Sequence, residues 1–120
     1  MARILIVDDS RTSRRILRNV FEELHFEVCG EAKNGEEGYK MYKELKPDLV
    51  TMDITMPVMN GVEALKLIKS EFPEARVLMV SAAGQQKNVL DAIKNGASEF
   101  ISKPFNVESI RQALISILLL

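Results

Sequence analysis

The sequence has no tryptophan, one cysteine and one histidine, and it lacks any long apolar run. A single cysteine, Cys29, excludes an internal disulfide, and its place between Val28 and Gly30 predicts a small buried side chain. No apolar run is long enough to cross a membrane, and Met1 to Arg3 enter the first run without the hydrophobic region of a signal peptide. We therefore expect a cytoplasmic protein that makes no membrane contact.

A charge excess of either sign is also lacking. Lysine and arginine number 16 against 17 aspartate and glutamate residues, which gives a net charge of −1. Such a balance creates no global field that attracts nucleic acid, so we expect no nucleic-acid binding by this domain. The composition, 47% hydrophobic and 28% charged, is that of an ordinary globular protein, and the length predicts one domain over residues 1–120.

Short apolar runs alternate five times with segments of helical periodicity. The runs lie at 4–7, 27–31, 49–52, 77–80 and 99–102, and the helical segments lie near 11–24, 34–46, 62–71, 86–94 and 107–118. This alternation predicts an α/β fold, (βα)5, with a doubly wound five-stranded parallel sheet. The first, third and fourth runs are apolar throughout, as central strands are, whereas the second and fifth have the character of edge strands.

Each predicted helix has an apolar face that should meet the core. The residues expected on these faces are Ile16, Leu17, Val20, Phe21 and Leu24 in the first helix, Met41, Tyr42 and Leu45 in the second, Leu65 and Ile68 in the third, Val89, Leu90 and Ile93 in the fourth, and Val107, Ile110, Leu114 and Ile117 in the fifth.

Five polar side chains follow the ends of four of the strands. They are Asp8, Asp9, Asp53, Ser81 and Lys103. Because ligands of open α/β sheets gather outside the carboxyl ends of the strands, we expect one acidic pocket with a lysine and a hydroxyl at its rim. Clustered carboxylates repel one another unless a cation joins them, and Mg²⁺ prefers carboxylate and phosphate oxygens. The sequence therefore predicts a magnesium site that handles a phosphoryl group.

Asp53 is the candidate nucleophile, since aspartyl phosphates are known covalent intermediates; the alternative is a third metal ligand that never reacts. Ser81 can donate to a phosphoryl oxygen and Lys103 can pair with one, unless they are only a strand-end hydroxyl and a solvated lysine. Pro104 follows Lys103, and an X-Pro bond is where a cis peptide costs least, so Pro104 is a cis-proline candidate.

These residues lie in short motifs that occur in a fixed order along the whole chain. The motifs are Asp8-Asp9, Asp53 followed by Met56-Pro57 and Gly61, Ser81-Ala82, and Lys103-Pro104-Phe105. In this order the chain resembles the receiver domains of two-component response regulators. The stretch Ser81 to Gln86 is similar to that of chemotaxis regulators of the CheY type. The resemblance implies the flavodoxin-like strand order 2-1-3-4-5.

The resemblance also implies roles for single residues. Asp53 takes a phosphoryl group from the phosphohistidine of a sensor histidine kinase. Mg²⁺ is bound by Asp8, Asp9, Asp53 and the backbone carbonyl of Thr55, directly or through water. Ser81 and Lys103 contact the phosphoryl oxygens.

The signal itself is implied to pass through a switch made by Ser81 and Phe100, which changes the face of the fourth helix, the fifth strand and the fifth helix. The target of a free-standing messenger of this type is, for example, a flagellar motor switch protein. Such a messenger is no enzyme, because it promotes only its own phosphorylation and dephosphorylation. The alternative within the family is the receiver domain of a transcriptional or other multidomain regulator.

Other classes fit the residues less well. A phosphatase with an aspartate nucleophile needs Asp-x-Asp, and Thr55 stands in the place of the second aspartate. A flavin phosphate would be repelled by Asp8 and Asp9 after the first strand. No Gly-x-Gly-x-x-Gly or Walker lysine motif is present, which disfavours nucleotide binding.

Two surface features each allow two interpretations. A row in the first helix, formed by Arg11, Arg14, Arg15 and Arg18, is either a solvated face or a kinase-docking surface. At the other end of the chain, an apolar patch is formed by Ile115, Leu118, Leu119 and Leu120. We expect this patch to contact a partner, either a second copy in a homodimer through the last helix or an output domain that follows Leu120.

Overall fold

Strands and helices alternate along the chain from end to end. The strands are β1 (Arg3–Val7), β2 (Glu27–Ala32), β3 (Leu49–Asp53), β4 (Val77–Ser81) and β5 (Glu99–Ser102). The helices are α1 (Arg11–Glu23), α2 (Gly35–Leu45), α3 (Gly61–Glu71), α4 (Gln86–Lys94) and α5 (Val107–Leu118). The structure is a computed structural model and describes residues 2–119.

All strand pairs are parallel, and the sheet has the order β2-β1-β3-β4-β5. The apolar runs β1, β3 and β4 are central, while β2 and β5 form the edges, as the sequence predicts. The α/β class, the (βα)5 alternation and the order 2-1-3-4-5 are confirmed. In the register, Val7 lies beside Met52 and Ser81 beside Ser102, so the residues that follow these strands emerge at one edge of the sheet.

The sheet separates two apolar clusters, which makes the fold doubly wound. Ile4 and Ile6 pack with residues of α1 and α5 on one side. Leu5 and Val7 point the other way and pack with residues of α2, α3 and α4. This alternation follows from the pleat of a strand, whose successive side chains point to opposite faces.

Four helices begin at a side chain that accepts a hydrogen bond from the first turn: Ser10, Asn34, Asn60 and Asn106. These caps fix the start of each helix, because they satisfy a backbone N–H that has no partner inside the helix. Helix α4 differs, since its cap residue Gln85 makes no such bond.

Four residues predicted to face the core are exposed, and this part of the prediction is wrong: Ile16, Leu90, Ile93 and Val107. On α4 the buried residue is Ala92, whereas Leu90 and Ile93 line an open groove next to β5, which is an edge strand. Val107 is the first residue of α5 and lies at the end of that helix where the sheet stops. Ile16 lies beside the narrow buried stripe of α1 rather than within it.

Cys29 is half-buried rather than buried, because β2 is an edge strand with one neighbour. Leu24, Met41, Leu45 and Val89 also lie at the margins of the two clusters. Between residues 2 and 119 no helix combines the length and apolarity needed to cross a membrane.

Candidate functional site

Three carboxylates meet at the carboxyl ends of β1 and β3. Asp8 and Asp9 follow β1, Asp53 ends β3, and one carboxylate oxygen of each lies within 4.8 Å of the others. Asp8 and Asp53 are buried and Asp9 is exposed. Gly61 starts α3 against the carbonyl of Asp53, and a Cβ atom at this position would clash with that carbonyl.

Lys103 supplies the cation at this site. Its Nζ atom lies 3.2 Å from Oδ2 of Asp8 and 3.7 Å from Oδ2 of Asp53. The backbone holds the lysine in place, because the N–H of Lys103 donates to the carbonyl of Ser81 at 2.8 Å. Thus β1, β3, β4 and the turn after β5 all contribute to one pocket.

One lysine leaves the negative charge of the pocket incompletely balanced. Burial, followed by the neighbouring charge of Asp8, raises the pKa of Asp53 to about 6, and the opposing effect of Lys103 is smaller than that of Asp8. The buried Oδ2 of Asp8 has no hydrogen bond among the described residues, only its ion pair with Lys103. A hard divalent cation fits this donor set, since it would add ligands to carboxylate oxygens that lack them.

The loop that carries Asp8 is pinned by its neighbours. Oδ1 of Asp8 accepts from the N–H of Ser10 at 2.8 Å, and Nη1 of Arg14 donates to the carbonyl of Asp8 at 2.8 Å. The same guanidinium donates through Nε to Glu31 at 3.0 Å. Arg14 therefore holds the acidic loop onto β2. The sequence analysis does not predict this role, because it groups Arg14 with the other arginines on the surface of the helix.

The remaining arginines of α1 differ in environment. Arg11 and Arg15 are exposed, whereas Arg18 is paired with Glu31 at 2.7 Å. Burial alone would raise the pKa of Glu31, but hydrogen bonds from Arg18 and Arg14 outweigh it and lower the pKa. Within residues 2–119, Arg11 and Arg15 are the two members of the row that form no ion pair.

Ser81 is buried at the end of β4, and its hydroxyl donates to the carbonyl of Ile101 at 3.5 Å. Phe100, on the adjacent strand β5, is exposed by 43%. A groove of about 590 Å³ lies between them and α4, and Leu90 and Ile93 form its apolar wall. Any motion of Ser81 thus occurs next to an open space that the Phe100 ring borders.

Gln85 is a site residue for which the sequence analysis predicts no role. Its Oε1 atom accepts from the N–H of Ala82 at 2.7 Å, and its Nε2 atom donates to the hydroxyl of Thr55 at 2.5 Å. No local sequence pattern could predict this pairing, because Thr55 follows β3 and Gln85 follows β4, and the two loops meet only in the folded protein. The Lys103–Pro104 peptide bond is cis, as predicted.

A family model of the response regulator receiver domain matches residues 4–115. The chain belongs to this family. Chemotaxis protein CheY from Listeria monocytogenes is 51% identical to it over 95% of this chain and 96% of its own length. Chemotaxis protein CheY from Thermotoga maritima is 51% identical over 93% of each chain.

Solved structures agree with this assignment. A chain in the crystal structure of the CheX–CheY–BeF3–Mg²⁺ complex from Borrelia burgdorferi matches with a TM-score of 0.93 and 37% identity, over 98% of this chain and 89% of its own. The predicted resemblance to receiver domains of the CheY type is therefore confirmed. The receiver domain assignment places the chain among two-component signalling proteins.

Proposed function

We propose that Asp53 accepts a phosphoryl group and that the protein transmits a signal through this modification. The observation that carries the proposal is the buried Asp53 carboxylate beside Asp8 and Asp9, with Lys103 at 3.7 Å. A signalling protein of the chemotaxis type is also what the family match and the CheY relatives support. The alternatives are no better supported; in particular, Thr55 gives a phosphatase no second aspartate.

The transfer needs an ionised Asp53. With a pKa of about 6, the carboxylate is largely ionised at neutral pH. One of its oxygens attacks the phosphorus of a phosphohistidine, the P–N bond breaks with its electron pair left on the imidazole, and an aspartyl phosphate forms. Reversal of the signal is hydrolysis: water attacks the phosphorus, the bond to Asp53 breaks, and inorganic phosphate leaves.

The transfer is assisted by the metal-binding oxygens, by the ammonium of Lys103 and by the hydroxyl of Ser81. We assign Asp8, Asp9 and Asp53, with the backbone carbonyl of Thr55, as the residues that hold Mg²⁺. When bound, Mg²⁺ supplies charge neutralisation of the carboxylate and the phosphoryl oxygens. The ammonium of Lys103 pairs with a phosphoryl oxygen, and the Ser81 hydroxyl donates to another.

The output follows from the position of Ser81 next to the groove. Turning its hydroxyl toward the phosphoryl group leaves space at the end of β4, and the Phe100 ring moves inward to fill it. This changes the surface of α4, β5 and α5, on which we propose that the downstream target binds. As the resemblance to CheY-type regulators implies, we propose a flagellar motor switch protein as that target and a sensor histidine kinase as the donor.

The remaining proposals concern the context of the protein. We propose that it acts in the cytoplasm as one receiver domain spanning residues 1–120, and that it catalyses only its own phosphorylation and dephosphorylation. For kinase docking we propose the charged face of α1 next to the pocket, chiefly Arg11 and Arg15, because Arg14 and Arg18 are engaged with Glu31.

We also propose a homodimer through the end of α5. Ile115 and Leu119 are exposed, Leu118 is half-buried, and Leu120 lies outside the described residues. Light scattering on the wild type and on a variant with Leu118 and Leu119 changed to serine tests this. A concentration-dependent dimer in the wild type alone supports the proposal, and monomers in both, with and without phosphorylation, contradict it.

The modified residue can be identified chemically. After incubation with acetyl phosphate and Mg²⁺, borohydride reduces an aspartyl phosphate to homoserine, which peptide mass spectrometry locates. We expect homoserine at position 53. Homoserine at Asp8 or Asp9 instead would contradict the assignment of Asp53 as the acceptor.

A further inference from the structure

The side chain of Gln85 joins two loops that frame the pocket. Its carbonyl oxygen accepts from the N–H of Ala82, directly after Ser81, and its amide nitrogen donates to the hydroxyl of Thr55, two residues after Asp53. The two bonds use both ends of one carboxamide.

The loop after β4 has little else to hold it. Ala82, Ala83 and Gly84 are all exposed, and Gly84 has a φ of +85° with no heavy atom near its Cβ position. Helix α4, which the loop enters, begins without a side-chain cap, because its cap residue Gln85 uses its carboxamide on Thr55 and Ala82 instead. The position of this loop therefore depends strongly on Gln85.

We propose that Gln85 is a positioning residue whose carboxamide latches the β4–α4 loop to Thr55 in the unphosphorylated protein and releases it when Asp53 is phosphorylated. Movement of the Ser81 backbone toward a phosphoryl group carries the adjoining peptide with it, and the N–H of that peptide is the one that Gln85 holds. The latch thus stabilises the resting loop and opposes the switch. The release step rests on the proposed function, whereas the latch exists in the unphosphorylated chain.

The latch is tested without any phosphodonor. Gln85→Met keeps the length of the side chain and removes both hydrogen bonds, and Gln86→Met is the matched control on the next residue. We expect solvent exchange of the Ala82 amide, followed by NMR, to accelerate roughly two- to tenfold in Gln85→Met, the factor that corresponds to one net hydrogen bond. Gln86→Met should exchange at the wild-type rate.

Two further variants show whether the effect passes through the two hydrogen bonds. Thr55→Val removes only the hydrogen bond of the Gln85 amide nitrogen, so it should accelerate Ala82 exchange less than Gln85→Met does. The double variant should exchange at the same rate as Gln85→Met alone, because the two hydrogen bonds act as a unit. Gln85→Glu keeps an acceptor for the Ala82 N–H and should restore its protection. Ala82 exchange in Gln85→Met at the wild-type rate would overturn the latch.

The release step has its own readout. With acetyl phosphate and Mg²⁺, we expect the initial rate of phosphorylation to rise roughly two- to tenfold in Gln85→Met and to be unchanged in Gln86→Met. Faster Ala82 exchange without faster phosphorylation would overturn the release step. If the wild type itself takes up no phosphoryl group, the proposed function fails, while the exchange result still decides the latch.

Discussion

Lys103 lies closer to Asp8 than to Asp53: its Nζ atom is 3.2 Å from Oδ2 of Asp8 and 3.7 Å from Oδ2 of Asp53. One ammonium is thus shared by two buried carboxylates, with Asp9 close by. Burial and this incomplete compensation destabilise the ionised form of Asp53, which has its pKa raised to about 6. The pocket is built at a cost to the stability of the metal-free protein.

Replacing Asp53 by asparagine should therefore stabilise the protein when no metal is bound. The folded state holds the Asp53 proton more tightly than the unfolded chain, in which the pKa is 3.8, so stability falls as the pH rises from about 4 to 6. Asp53→Asn should raise the free energy of unfolding at neutral pH by about 1–3 kcal/mol and flatten this decline. Urea unfolding in the presence of a chelator measures both effects.

The control for this measurement is Glu44→Gln, which removes an exposed carboxylate of α2. It should retain the wild-type decline between pH 4 and 6. An Asp53→Asn variant as pH-dependent as the wild type would mean that the charge of Asp53 is already compensated.

Magnesium should stabilise the folded protein, because the three carboxylates are brought together only by folding. At 100 times the dissociation constant the gain is about 2.7 kcal/mol, read as a higher melting temperature. Asp9→Asn should weaken this gain without disturbing the core, since Asp9 is exposed, and Glu44→Gln should leave it intact. A melting temperature independent of Mg²⁺ would remove the proposed metal site.

Ser81→Ala should uncouple phosphorylation from the output. The variant keeps Asp53 and Lys103 and should still take up a phosphoryl group, but it has no hydroxyl to draw toward it. We expect the ring resonances of Phe100 to shift on phosphorylation of the wild type and to stay in place in the variant, with weaker binding to a phosphorylation-dependent target. Ser70→Ala on α3 is the control, and a full Phe100 shift in Ser81→Ala would show that the hydroxyl does not couple.

Alanine substitution should affect stability much more at Arg14 than at Arg15. Arg14 is buried and bonded to Glu31 and the carbonyl of Asp8, so Arg14→Ala should lower the free energy of unfolding by about 2–4 kcal/mol. Arg15 is exposed, and Arg15→Ala should change it by less than about 0.5 kcal/mol. Denaturant unfolding decides this.

The same Arg15 variant tests kinase docking. Arg15→Ala should slow phosphoryl transfer from the histidine kinase and leave transfer from acetyl phosphate unchanged. Equal slowing with both donors would place Arg15 in the chemistry of the pocket rather than in docking.

The part of the site that the sequence could predict is the set of residues at the ends of the strands. The apolar runs fix which residues are strands, and parallel strands bring Asp8, Asp53 and Lys103 to one edge, so their proximity follows from position alone. Burial on α4 could not be predicted this way, because Leu90 fits the helical periodicity and yet lines an open groove at the edge of the sheet. The double contact of Gln85 depends on where two loops meet in space, which no local pattern records.

Intact-mass measurement after incubation with acetyl phosphate tests the central claim most directly. The wild type should gain the mass of one phosphoryl group with Mg²⁺ present and much less after the metal is chelated, while Asp53→Asn should gain none. Equal uptake by the wild type and Asp53→Asn, or none by the wild type with Mg²⁺, would contradict the claim that Asp53 is the phosphoacceptor.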